Sequence, residues 1–158
     1  MKIAIIGSHG TGKTTLANEL TKLHPDHFLI PEIARVFGIE KINTQIRTLF
    51  LQEKMMDVQI YIESLHQNFI ADRSILDFGV YGQSQKFLFS TQIYTEKMYT
   101  HIFFIPIRFM VFDDGFRNLD EKFRNEIQDR FLESMPTSTI IIKSLSISDR
   151  IAEIQTYI

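Results

Sequence analysis

The chain has 158 residues, enough for one ordinary domain, and its 44% hydrophobic and 12% aromatic content can fill a sizeable core. A formal net charge of −2 supplies no global field that would draw it onto nucleic acid or anionic lipid, and a composition without cysteine excludes disulfides, thiolate zinc sites and cysteine nucleophiles. The first apolar run is too short for a signal peptide and no stretch approaches the ~20 apolar residues of a membrane span, so the expectation is one domain over residues 1–158, working in the cytoplasm.

The chain opens with an apolar run, Ile3 to Ile6, and four more follow: Phe28 to Ile30, Phe69 to Ala71, Ile102 to Ile105 and Ile140 to Ile142. Their length and continuity suit strands buried on both faces. Leu16, Leu20 and Leu23 fall at helical spacing after the first run, Leu51, Met55, Val58, Ile62 and Leu65 after the second, and Ile147, Ile151, Ile154 and Ile158 after the fifth. The alternation predicts a three-layer α/β fold, a parallel sheet of about five strands with helices on both faces, because each crossover returns the chain to the same end of the sheet. Two connections exceed what a crossover needs: Asn68 to Ile102, with "GVYGQSQKFLF", and Pro106 to Asn118, with "DDGFRN"; residues 106–124 are a candidate lid.

Directly after the first run comes "GSHGTGKTTL", residues 7–16, in which Gly7-x-x-x-x-Gly12-Lys13-Thr14 satisfies the P-loop pattern in its proper strand-then-helix setting. Without side chains the glycines let the backbone wrap a polyphosphate, so that successive N–H groups and the helix start face the anion. Gly7, Ser8, His9, Gly10, Thr11, Gly12, Lys13, Thr14 and Thr15 are therefore the candidate nucleotide-binding set, with Lys13 reaching the outer phosphates and Thr14 ligating Mg²⁺.

Ligands of an open parallel sheet sit outside the carboxyl ends of its strands, so the residues closing each run matter most. The second run ends in "PEIAR", delivering Glu32 and Arg35, and the third in "ADRS", delivering Asp72 and Arg73. One carboxylate can take the proton of an attacking hydroxyl, another can hold Mg²⁺, and the arginines can neutralise the transferring group. The plainer alternatives are a solvated Glu32 paired with Arg35 and a helix-capping Asp72. Ser74 to Asp77 reads as a capping box, which leaves Asp77 a mainly structural role. Further on, Asp113, Asp114 and Gly115 form a tight turn, and Asn118 with Glu121 three later caps a helix. Arg117 is the candidate closing cation; Arg124 is a second, but the pattern favours an ordinary helix surface with Asp120–Arg124 and Glu126–Arg130 pairs.

The histidines, including His24 and His27 in one turn, share no zinc-ligand spacing. Phe78, Tyr81, Phe87, Phe89, Tyr94 and Tyr99 suit packing better than a stacking platform, although one or two could wall a flat ring.

Taken together, "GSHGTGKTTL", "PEIAR", "DRSILD", "HIFFIP" and "DDGFR" resemble the small P-loop kinases typified by the ribosylnicotinamide kinase domain of NadR, with wider kinship to deoxynucleoside and nucleotide kinases. The resemblance runs through nearly the whole chain. It implies a P-loop NTPase fold, ATP as donor and a small ribose- or deoxyribose-bearing acceptor. It also implies Glu32 as acceptor-binding residue or general base, Asp72 as a Walker-B-like or base position, Arg73 as a phosphate contact and Arg117 as the lid arginine. The expected function is ATP- and Mg²⁺-dependent phosphoryl transfer to a nucleoside- or nucleotide-like hydroxyl. The alternatives are a kinase acting on a polynucleotide end or modified base, which the acidic balance disfavours, and a nucleotide-dependent switch or ATPase without a small-molecule acceptor.

Overall fold

A computed structural model of the protein describes residues 1–38, 49–82, 84–108 and 121–158. The strands are β1 (Lys2–Ile6), β2 (Phe28–Ile30), β3 (Phe69–Asp72), β4 (His101–Phe104) and β5 (Ile140–Ile141). The helices are α1 (Lys13–Leu23), α2 (Ile33–Val36), α3 (Leu49–Ser64), α4 (Ile75–Gly82), α5 (Gln85–Met98), α6 (Glu121–Ser134) and α7 (Ile147–Gln155). None of the described helices is long and apolar enough to cross a membrane.

All five strands join one parallel sheet in the order β2-β3-β1-β4-β5. The register sets Ile5 beside Asp72 and Ile6 beside Phe104, so β1 is flanked on both sides. Side chains alternate along a strand, and in the central strands β3, β1 and β4 both faces are buried, whereas the edge strands leave Phe28 of β2 and Ile141 of β5 exposed. Ala4, Phe69, Ala71, Ile102 and Phe104 face one apolar layer, with Met55 of α3, Phe78 of α4, Phe87 of α5 and Phe131 of α6. Ile3, Ile5, Ile70 and Phe103 face the other, with Leu16 and Leu20 of α1 and Ile154 of α7. This two-sided burial explains why the three central strands read as unbroken apolar runs.

Each of the five apolar runs became a strand, and the three helical patterns became α1, α3 and α7. The long connection from Asn68 to Ile102 is filled by α4 and α5. Every residue of α4, "ILDFGVYG", is buried, so it has no polar face and no 3.6-residue period to betray it. Of the candidate lid, residues 109–120 lie outside the described residues, and with them Asp113, Asp114, Gly115, Arg117, Asn118 and Asp120; residues 121–124 form the first turn of α6.

Candidate active site

The site begins where β1 runs out. Gly7 has φ +139°, and a Cβ there would come within 2.5 Å of the Ile105 carbonyl oxygen, so only glycine lets the chain leave the sheet at this point. The loop then turns through Gly10 and Gly12, also at positive φ, and α1 starts at Lys13. Lys13 is 5% exposed, and its Nζ donates to the Ser8 carbonyl at 2.7 Å and the Thr11 hydroxyl at 3.4 Å. Burial, then the nearby Arg73 charge, pull its pKa down to about 8.

Thr14 and Asp72 meet as their types predict. The Thr14 hydroxyl donates to Asp72 Oδ2 at 2.6 Å, while Asp72 Oδ1 is buried without a hydrogen-bond partner among the described residues. Burial raises the Asp72 pKa. A hydroxyl beside a carboxylate with one oxygen still unsatisfied is a donor set that fits Mg²⁺ or one of its waters.

Beside this pair stands a charge cluster. Glu32 precedes α2; its Oε1 accepts from Arg73 Nε at 2.6 Å and its Oε2 from Arg35 Nε at 2.9 Å. Burial pushes the Glu32 carboxyl up, but Arg73, Lys13 and Arg35 outweigh it and hold it at about 2. Arg73 is the only non-glycine residue with positive φ among those described, +90°. That conformation is unfavourable for a side-chain-bearing residue, by roughly 1–3 kcal/mol, and persists only where its surroundings impose it. They do so here: Arg73 N–H donates to the Ile5 carbonyl at 3.1 Å, and Gln59 Nε2 to the Arg73 carbonyl at 3.2 Å. Gln59 is held in turn by Glu63, which also accepts from Tyr99 at 2.6 Å.

Asp77 exceeds its expected role. Its Oδ2 accepts from Ser74 N–H at 2.8 Å, the capping box read from the sequence, and its Oδ1 accepts from Arg73 Nη1 at 3.3 Å. A pocket opens next to this cluster. His9, Glu32, Arg73 and Asp77 give it one polar side; Phe78 and Tyr81 belong to its apolar side, and Tyr81 stacks under the Arg73 guanidinium with 5.2 Å to the ring centre. Two of the six aromatics singled out in the sequence thus line it.

Every expected site residue within the described part of the chain is at the carboxyl edge of β1, β2 and β3: the loop from Gly7 to Thr15, with Thr15 exposed, and Glu32, Arg35, Asp72 and Arg73. Arg117 lies outside it. One reading is corrected. Arg124 is not ordinary helix surface: it is 3% exposed, and donates from Nε to the His9 carbonyl at 3.0 Å and from Nη2 to the Gly10 carbonyl at 3.3 Å. Arg150, which the sequence reading passed over, is equally buried and donates from Nη1 to the Thr11 carbonyl at 2.8 Å. The signal was present for both. Arg124 stands three residues before Ile127 and Arg150 three after Ile147, each on its helix's apolar stripe, where a cation is out of place unless it has a buried partner.

The architecture is shared with solved structures. NadR protein in complex with NR matches with a TM-score of 0.69 at 18% identity, over 98% of this chain and 50% of that one, so the chain spans half the length of that protein. Deoxyadenosine kinase from M. mycoides with bound dATP matches with a TM-score of 0.65 at 16% identity, over 99% of this chain and 98% of that one. Thymidylate kinase from Ehrlichia chaffeensis gives a TM-score of 0.62 at 19% identity, over 99% and 97%. At such identities the likeness establishes the three-layer P-loop fold. No curated protein matches the sequence. A family model described as AAA domain matches residues 2–150, nearly the whole chain, and the chain belongs to that family.

Proposed function

We propose that the protein is a phosphotransferase that moves the γ-phosphoryl group of ATP, with Mg²⁺, to a hydroxyl of a small nucleoside- or nucleotide-like acceptor. The observation that carries this reading is the meeting, at one sheet edge, of the amide-lined loop of Gly7 to Thr15 with the Glu32–Arg73–Asp77 cluster and its half-apolar pocket. A passive nucleotide binder needs the first and has no use for the second. The neighbours' bound molecules, NR in one case and dATP in another, are of the proposed class and support it.

Each residue then has a task. The loop amides and Lys13 bind the β- and γ-phosphates and neutralise charge as the phosphoryl group departs. Thr14 and Asp72 would hold Mg²⁺, which would supply positive charge to offset that of the phosphates. Glu32 stays a carboxylate at any working pH and accepts the hydrogen bond of the acceptor hydroxyl. With a pKa of about 2 it orients the nucleophile more than it deprotonates it, which suits a loose transition state that asks little of a base. Arg73, strapped to Glu32 and Asp77, presents its remaining donors to the transferring group, and Arg35 fixes the second oxygen of Glu32. Phe78 and Tyr81 wall the acceptor's ring.

A panel of nucleosides and nucleotides, with ATP consumption as readout, tests the proposal: one member should stimulate turnover. Glu32→Gln should keep ATP affinity and lose transfer by about 100-fold or more, because a neutral amide releases Arg73 and Arg35 and with them the alignment of the acceptor hydroxyl. Acceptor-independent ATP turnover would instead identify a switch or ATPase, and stimulation by polynucleotide ends alone would move the acceptor to nucleic acid.

A further inference from the structure

We propose that Arg124 and Arg150 are positioning residues that turn the carbonyls of the phosphate loop outward, so that its amides are aimed at the donor triphosphate before it binds. The inference rests on the nucleotide-binding reading above and concerns how the loop is held rather than what it holds.

A loop can present its N–H groups to an anion only if its C=O groups are satisfied elsewhere, because each peptide carries both. Here the carbonyls of residues 8 to 12 all have donors. Ser8 receives Lys13 Nζ at 2.7 Å, His9 and Gly10 receive the two arms of the Arg124 guanidinium at 3.0 and 3.3 Å, Thr11 receives Arg150 Nη1 at 2.8 Å, and Gly12 receives the Leu16 N–H at 3.1 Å. The middle three, to which no backbone N–H among the described residues donates, are the ones taken by arginine. Arg124 spans two successive carbonyls with its Nε–H and Nη2–H, whose directions a planar fork fixes relative to each other, whereas an ammonium would have to serve both from a single atom.

The two arginines come from opposite layers. α6 is rooted in one apolar layer through Ile127 and Phe131, and α7 in the other through Ile154. A bond in the reverse direction, from the Ser8 hydroxyl to the Arg124 carbonyl at 2.8 Å, ties the α6 backbone to the loop as well. On the far side, Arg150 Nε donates to the Ser144 carbonyl at 3.1 Å, which sets the direction of its other arm. The loop is thus clamped from both faces of the sheet. Two buried positive charges just behind it also raise the potential where phosphate binds, without touching the ligand.

The test compares the parent chain with Arg124→Gln, Arg150→Gln and the corresponding lysine variants, measuring Kd for ATP with Mg²⁺, acceptor KM and ligand-free Tm. Each glutamine variant should bind ATP about tenfold more weakly, the scale of one charge-assisted hydrogen bond, with acceptor KM unchanged. Arg124→Lys should recover less affinity than Arg150→Lys. A folded glutamine variant with the parent Kd overturns the proposal, whatever its Tm, since a purely structural role would move Tm alone. Where a glutamine variant does not fold, the lysine variant at that position decides: binding at least about threefold weaker is expected, and parent-like binding overturns it. A parent chain that binds no purine triphosphate fails before any variant is compared, and then it is the nucleotide-binding reading that falls.

Discussion

Lys13 shows how much of the chemistry is written in a single side chain's surroundings. Buried and close to Arg73, it loses its proton at about pH 8 while the loop is without a ligand. A triphosphate beside it favours the charged form and restores the proton, so nucleotide binding between about pH 8 and 9 takes up protons from solution. Calorimetry in buffers of different ionisation enthalpy should give a buffer-dependent heat at pH 8.5 that disappears at pH 6.5, where Lys13 is already protonated. In Lys13→Arg the dependence should be lost, because a guanidinium keeps its proton throughout. Arg73 is the complementary case. Its positive φ, imposed by Ile5 on one side and Gln59 on the other, is what lets one side chain reach both Glu32 and Asp77.

Among elements, α4 supplies the aromatic side of the pocket through Phe78 and Tyr81. It packs closely on α5: a Cβ at Gly79 would lie 2.0 Å from Thr91 Oγ1 and 3.0 Å from the Leu88 Cα. The hydroxyl can swing away, but the backbone cannot. Gly79→Ala should therefore lower the unfolding free energy by about 1–3 kcal/mol in urea titrations. Because Phe78 and Tyr81 flank Gly79 and line the pocket, acceptor KM should rise while ATP affinity holds.

The same helix marks the limit of what the sequence revealed. Strands buried on both faces, glycines at a strand-to-helix turn and charged residues closing apolar runs all leave local patterns, and Ile3 to Ile6, Gly7 to Thr14, Glu32 and Asp72 were legible from them. A helix buried all round leaves no periodicity, only the capping box of Ser74 to Asp77 at its start, and the pairing of Arg124 with the His9 and Gly10 carbonyls is a contact between distant segments that spacing cannot express. Only the misfit of a cation on an apolar stripe pointed to it.

For the molecule as a whole, the Glu32–Arg73 pair couples the site to stability. The Glu32 carboxyl, ordinarily near 4.5, is held at about 2 in the folded chain, so its contribution is complete above pH 4.5 and is lost as pH falls toward 2. The shift corresponds to about 3 kcal/mol. Asp72, Asp77 and Glu63 shift the opposite way through burial, so the overall acid profile mixes signs. A difference isolates Glu32: the gap in unfolding free energy between the parent and Glu32→Gln should shrink by about 3 kcal/mol between pH 4.5 and pH 2. A constant gap would mean that the pair does not hold the carboxyl down.

The sheet order places β1 in the middle, between β3 and β4. β1 and its glycine turn precede in sequence the strands that flank them, at residues 69–72 and 101–104, and the two arginines that brace the turn come later still. A segment that stops short of Arg124 thus carries the letters of the motif without the cradle. On the proposed nucleotide-binding reading, triphosphate should stabilise only a polypeptide that extends through Arg150, which a comparison of thermal stabilisation by ATP in chains truncated before and after that residue would check.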